Sequence, residues 1–239
     1  YIYRGKFVEI SKKGFKVALV IAALSSVAQL IVGSISAEGV AKNQPEKLAA
    51  LEGHFDSLKT ADMYLFGWVD KESQKVYGLS VPNGLSFLIH KDFNAPVKGL
   101  NYFPKNEVPS QVNMIFQFYH IMIAIGMALI GLSLYAVFLW WRGKLFDKKW
   151  LMLIFSFSVL LPQIANQAGW YAAEMGRQPW VVYKLLRTSD ALSKSVTAEH
   201  VLFSLILFML VYTLLFVLFI YLLNKKIQHG FDDYEDDLP

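Results

Sequence analysis

Residues 201–223 contain no charged side chain, and three further segments, about 17–36, 113–141 and 150–173, are comparably apolar. Each supplies the roughly 20 apolar residues needed to cross about 30 Å of hydrocarbon. No water is present there to satisfy free backbone groups, so a spanning segment must be a helix or part of a closed barrel. Strand alternation is absent from all four, which excludes the barrel. The expected fold class is therefore all-α integral membrane, with four transmembrane helices and a long extracytoplasmic loop between the first and second.

Composition agrees with this reading. The chain is 55% hydrophobic and 18% charged, with 18 Phe, 12 Tyr and 6 Trp among 239 residues. A soluble domain carries about a quarter charged residues. The 23 Lys and Arg against 19 Asp and Glu give a net charge of +4, but the basic residues cluster beside the apolar runs. There they fix orientation, so no nucleic acid partner is expected. With no Cys, disulfides, thiolate metal sites and thiol catalysis are all excluded.

Lys6, Lys12, Lys13 and Lys16 precede the first span, Arg142, Lys144, Lys148 and Lys149 join the second to the third, and Lys225 and Lys226 follow the fourth. All three clusters fall on one side, which the positive-inside rule makes the cytoplasm. The expected organisation is a cytoplasmic entry and first helix at 1–36, an extracytoplasmic loop at 37–112, three transmembrane helices within 113–223, and a cytoplasmic tail at 224–239. The tail residues Asp232, Asp233, Glu235, Asp236 and Asp237 are expected to be a solvated end. The opening Tyr1-Ile2-Tyr3-Arg4-Gly5-Lys6 reads as the basic exit of an earlier helix, so the chain is expected to be a piece of a longer polypeptide or a processed or split subunit. Within the loop, Met63–Val69 and Lys75–Val81 flank Asp70-Lys71-Glu72-Ser73-Gln74, a hairpin pattern.

Candidate chemistry lies in three places. In the third span Gln163, Gln167, Trp170 and Glu174 follow the 4, 3, 4 spacing of one helix face, with Asn166 beside them. Such a stripe should face the protein interior, and its carboxylate is costly enough to be a functional candidate. The plainer alternative is a Glu174 that pairs with Arg177 at the interface. In the second span, Asn113, Gln117, His120, Ala124 and Met127 share one face and Phe118, Tyr119, Met122, Gly126 and Leu129 another. Spacing favours His120 as haem ligand, proton relay or helix-contact group, since a lone Met on an apolar face is ordinarily core filler. Gly126, one turn beyond Met122, would leave a flat gap for a planar cofactor. In the loop, Lys47-Leu48-Ala49-Ala50-Leu51-Glu52 places a cation and a carboxylate five apart on a short helix. These are either solvated charges or a pair able to hold a quinone head group and take its proton.

The block Gly169-Trp170-Tyr171-Ala172-Ala173-Glu174-Met175-Gly176-Arg177-Gln178-Pro179-Trp180, continuing through Leu186-Arg187-Thr188-Ser189-Asp190-Ala191, closely resembles subunit I of cytochrome bd quinol oxidases. Lys47 to Glu52 resembles the quinol-binding start of that family's Q-loop, and Ile121-Met122 the start of the following helix. The resemblance covers nearly the whole chain but corresponds to the C-terminal half of the subunit, in its short-loop form. It implies that Met122, not His120, is an axial ligand of a low-spin haem b, with Glu174 a ligand of a high-spin haem. By the same resemblance Arg177 neutralises haem propionates, Trp170 packs on a haem plane, and Lys47 and Glu52 bind and deprotonate quinol. Many members have Arg where this chain has His120, so any help in holding the low-spin haem would come here from an imidazole.

The implied cofactors are haem b, low-spin and high-spin, and haem d. The implied partners are menaquinol or ubiquinol, oxygen, the N-terminal half of subunit I with its His ligands, subunit II and small membrane subunits. The implied location is a bacterial or archaeal cell membrane. The implied activity is quinol:oxygen oxidoreduction within a complex. Alternatives are a bd-like electron-transfer subunit that does not reduce oxygen, or a haem-free scaffold.

Overall fold

The computed structural model describes residues 1–193 and 195–230, apart from the side chains of 57 and 58. The acidic tail from Asp232 to Asp237 lies outside the described residues. In chain order the elements are α1 (Val8–Asn43), α2 (Pro45–Glu52), β1 (Ser57–Lys59), β2 (Met63–Asp70), β3 (Lys75–Val81), α3 (Gly84–His90) and β4 (Val97–Lys98). They continue with α4 (Val112–Trp141), α5 (Lys149–Ser158), α6 (Leu161–Gly176), β5 (Trp180–Val182), β6 (Leu186–Arg187) and α7 (Ala198–His229). The contacts divide the chain into Tyr1–Ala191 and Leu192–Pro239, the second of which contains α7.

The chain is mostly helical, and four stretches are long and apolar enough to cross a membrane: Val8–Asn43, Val112–Trp141, Lys149–Gly176 and Ala198–His229. The third departs from the single helix expected at 150–173, because it is built from α5 and α6 with a break between Ser158 and Leu161. Pro162 causes it. Proline lacks the N–H for the helical ladder and its ring collides with the carbonyl one turn back, so a helix can begin with Pro162 but not run through it. Just before the break, the Ser156 and Ser158 hydroxyls donate to the Met152 and Phe155 carbonyls at 3.0 and 2.9 Å. Such back-bonding satisfies main-chain acceptors where the ladder is interrupted.

The segment joining α1 to α4 is ordered, and it adds strands to an otherwise helical chain. β2 and β3 pair antiparallel from Met63↔Val81 to Asp70↔Lys75, matching the expected hairpin. Asp70 closes its turn, accepting from the Glu72 amide at 3.0 Å and the Ser73 hydroxyl at 2.7 Å. Gly78 is required there, since a Cβ would stand 2.1 Å from the Phe66 carbonyl oxygen.

Two large apolar clusters, with a smaller one of Ala61, Leu85 and Val97, hold the first unit together. At one end Leu19 of α1 meets Ala136 and Leu139 of α4, Leu145, and Leu151 and Met152 of α5. Lys16 lies over the Trp140 and Phe146 rings at 5.8 and 5.9 Å, so the basic residues in the first turns of α1 and those between α4 and α5 share this end. At the other end the loop docks: Ala49, Ala50 and Leu51 of α2, with Phe55, Val69 and Leu100, pack on Val112, Ile115 and Phe116 of α4 and Ala172 of α6. Burying a set of this kind stabilises by roughly 1.5–3 kcal/mol for each large side chain, and it fixes α2 over the ends of α4 and α6.

Candidate functional site

α4 and α6 approach through small residues. Ala168, Ala172 and Gly176, spaced by four, are buried on one face of α6. Small side chains let membrane helices come close. Gly169 lies on the next position round, and a Cβ there would stand 2.5 Å from the Met122 sulfur. The thioether therefore fills the space that residue 169 leaves.

This packing turns the polar stripe of α6 away from α4. Gln163, Asn166, Gln167 and Trp170 are exposed, Trp170 to 56%, so the expectation that they face the interior of this chain is corrected. The seam is made by small residues, and the polar face lies on the other side. Three amide side chains in a membrane-length helix are expensive against lipid, so this face is one that other protein or a cofactor must cover. At its end, the Glu174 and Arg177 side chains pair at 2.6 Å, each about two-fifths exposed.

α2 begins with Pro45 and ends at Gly53, whose φ of 64° reverses the chain. Five residues on a helix amount to about 140° of rotation, so Lys47 and Glu52 point to different flanks. The Lys47 stem packs on Gly176, where a Cβ would be 3.3 Å from Lys47 Cγ. Burial pulls the Lys47 ammonium below its ordinary pKa, with the Glu174 carboxylate opposing that shift and Arg177 adding to it. The structure thus brings Lys47 to the Glu174–Arg177 pair.

Glu52 is 2% exposed. Burial pushes its carboxyl up to about 7, against a hydrogen bond from the Tyr119 hydroxyl that favours the charged form. Glu52 Oε2 has no hydrogen-bond partner among the described residues. A buried acid near neutrality with a free oxygen is suited to general base work. Tyr119, three residues before Met122 on α4, was not singled out by spacing. Nor was Glu46, which is 3% exposed and accepts from the Tyr183 hydroxyl at 2.6 Å, tying α2 to the β5–β6 segment.

His120 is placed otherwise than its spacing suggested. Its Nδ1 lies 2.8 Å from the Phe116 carbonyl and its Nε2 2.9 Å from the Tyr64 carbonyl. Both ring nitrogens face main-chain acceptors, so in this chain the ring is engaged by the backbone of α4 and β2. Asn113 and Gln117 on the same face also hold β2: Asn113 Oδ1 accepts from the Val69 amide at 3.0 Å and Gln117 Nε2 donates to the Gly67 carbonyl at 2.7 Å.

Haem fits the positions that remain. Met122 offers a soft, neutral thioether, and a Cβ on Gly126, one turn beyond, would meet nothing within 4 Å, so the helix leaves a flat open flank there. Glu174 and Trp170 stand on the exposed face of α6. Among the described residues no group of three or more His, Asp or Glu could hold a metal ion.

The comparisons with known proteins agree. Residues 1–231 match the family model described as cytochrome bd terminal oxidase subunit I. The chain is 32% identical over 249 residues to a cytochrome bd ubiquinol oxidase subunit 1 of Bacillus subtilis (strain 168), covering all of this chain and 53% of that one. It is 37% identical over 186 residues to a putative cytochrome bd menaquinol oxidase subunit I of the same organism, covering 76% and 41%. Among solved structures, the bd oxidase from Geobacillus thermodenitrificans superposes with a TM-score of 0.79 at 33% identity, over 96% of this chain and 52% of that one. The chain spans about half the length of these relatives. The small-residue seam, the Met122 and Glu174 positions and the match over 1–231 lead to one conclusion: this chain belongs to the cytochrome bd terminal oxidase subunit I family.

Proposed function

We propose that the chain is the C-terminal half of a cytochrome bd-type subunit I, and that it takes protons and electrons from quinol on the outer side of a bacterial or archaeal cell membrane. The observation that carries this reading is the docking of α2. It sets Lys47 against Gly176 beside Glu174 and Arg177, and joins Glu52 to Tyr119 on the helix that carries Met122. The residues suited to quinol and those suited to haem therefore meet at one end of the α4–α6 pair.

Glu52 is the base. Its carboxylate accepts a quinol hydroxyl proton, and Tyr119 holds it in place. Lys47, on the other flank of α2, hydrogen-bonds the second oxygen. The two hydroxyls of a para-quinol point in opposite directions, so groups on two flanks can grip one ring. Met122 would hold a low-spin haem b, and its neutral sulfur would favour the reduced form. Glu174 would hold a high-spin haem, which Arg177 and Trp170 would also contact. The haems, b and d, supply electron acceptance and oxygen reduction when bound. The second axial ligands come from the N-terminal half of the subunit, and subunit II completes the complex. The 44–111 segment is the Q-loop and lies outside, opposite the basic end.

The test is a reduced-minus-oxidised spectrum of the purified complex, with and without carbon monoxide, for the unaltered chain and for Met122→Ala. Low-spin b bands that disappear or shift in the variant, beside a carbon monoxide-sensitive far-red band that persists, are expected. An unchanged low-spin spectrum in Met122→Ala would defeat the ligand assignment.

A further inference from the structure

We propose that the cleft of about 300 Å3 bounded by Glu52, His54, Asp56, Asp62, Gln74 and Lys75 is the outlet through which protons taken from quinol reach the outer water. This rests on Glu52 being the base and extends that reading.

The geometry gives Glu52 two neighbourhoods. Toward α4 it meets the Tyr119 hydroxyl. Toward the hairpin it lines the cleft, and although the residue is 2% exposed, its Oε2 finds no hydrogen-bond partner among the described residues. A buried carboxylate oxygen left in this state loses roughly 1–3 kcal/mol unless water or a ligand reaches it. The cleft can supply that water. Its walls carry two carboxylates, an imidazole, an amide and an ammonium, the two to four polar partners that each water of a chain requires. Phe55, Tyr64, Val76 and Tyr77 complete the lining, but the polar groups predominate and are poorly suited to a quinone ring, which is held by mostly apolar surfaces. Lys47 does not line the cleft, and neither does any residue of α6. Quinol approaching Lys47 and Glu174 therefore arrives on another flank of α2 from the one by which the proton leaves.

The balance is simple. Oxidation of one quinol to quinone breaks two O–H bonds and releases two electrons. A low-spin haem of the complex, when bound, would accept these electrons one at a time. The proton of the hydroxyl facing Glu52 moves onto its carboxylate and from there to water in the cleft, which returns the carboxylate for the next quinol, while the proton of the hydroxyl held by Lys47 leaves to water on that flank. His54 does not trap protons on the way: its Nε2 is held by the Val97 carbonyl at 3.3 Å, and burial lowers its basicity.

Thr60, exposed on the cleft wall, is the place to test this. The chain has no Cys, so Thr60→Cys introduces its one thiol. The assembled complex would be labelled with methanethiosulfonates carrying either a trimethylammonium or a sulfonate, with the unsubstituted complex as control. Quinol kcat and KM and proton release to an external dye in proteoliposomes would be measured. The cationic label is expected to slow kcat and proton release together by about tenfold, short of the ~100-fold or more that losing a general base costs. KM should stay unchanged, and the anionic label should slow less.

Complete labelling by mass spectrometry with unaltered kcat and proton release would overturn the outlet. So would a raised KM at constant kcat, which would make the cleft the quinol entrance. Glu52→Gln separates the two levels: full turnover in that variant removes the base assignment itself, whereas a slow Glu52→Gln beside a fully active labelled Thr60→Cys removes the outlet alone.

Discussion

The Met122 sulfur and Gly169 occupy one space: a Cβ on residue 169 would lie 2.5 Å from Sδ. Gly169→Ala must therefore displace the thioether or separate α4 from α6. Overpacking of this kind costs about 1–3 kcal/mol. The expected outcome is a lower thermal midpoint together with a shifted low-spin haem band and potential. Gly131→Ala is the control, since a Cβ there meets nothing within 4 Å, and it should leave both readouts unchanged.

Glu52 gives a pH dependence with a definite sign. Its carboxyl in the folded chain is pushed up to about 7 from the ordinary 4.5, chiefly by burial. Between those values the native state holds a proton that the unfolded chain releases, so stability falls as pH rises through this window. The loss amounts to about 3 kcal/mol once pH exceeds the folded pKa, at 1.36 kcal/mol per unit. Glu52→Gln should abolish this slope, and thermal unfolding in detergent from pH 4.5 to 8 measures it. Turnover should move the opposite way in the unaltered protein, rising toward neutrality as the carboxylate forms, and should be low at every pH in Glu52→Gln.

Much of the architecture was legible because it is local. The uncharged runs declare the spans, and Asp70 with the alternating residues on either side declares the hairpin. The break in the third span was also written locally, in Pro162, but hydropathy outweighed it because the residues on both sides are apolar. The site was legible only in part. Periodicity says which side chains share a helix face but not what that face meets. Asn113, Gln117 and His120 were correctly grouped, yet their partner is the β2 backbone. The α6 stripe was correctly grouped too, yet the small residues opposite it make the contact. Pairs distant in sequence left no local sign: Glu46 and Tyr183 are 137 positions apart, and Glu52 and Tyr119 nearly half as far.

The Glu46 contact carries its own prediction. Tyr183→Phe removes a 2.6 Å hydrogen bond from a carboxylate 3% exposed, which should cost about 1–3 kcal/mol. It should also expose the 180–187 segment to proteolysis. Lys184 reaches the same carboxylate at 3.6 Å from a side chain 54% exposed. Solvent screens that pair, so Lys184→Ala should cost under about 1 kcal/mol. Equal losses from the two variants would show that the hydroxyl is not what holds α2 to this segment.

The polar face of α4 separates an anchoring role from a cofactor role. β2 offers main-chain groups on the side away from β3, and Val69 N–H, Gly67 C=O and Tyr64 C=O are taken by Asn113, Gln117 and His120 in turn. Unpaired strand edges are a liability, and here side chains of a neighbouring helix satisfy the edge instead of another strand. His120→Leu keeps the ring's approximate volume but strands the Tyr64 carbonyl, at a cost of about 1–3 kcal/mol. Local opening of β2 should become easier by the same amount, so its amides should exchange about ten- to a hundredfold faster. Met122 lies half a turn further along α4 and does not depend on this contact, so the low-spin haem spectrum should persist. Loss of that spectrum with β2 protection intact would instead return His120 to the haem.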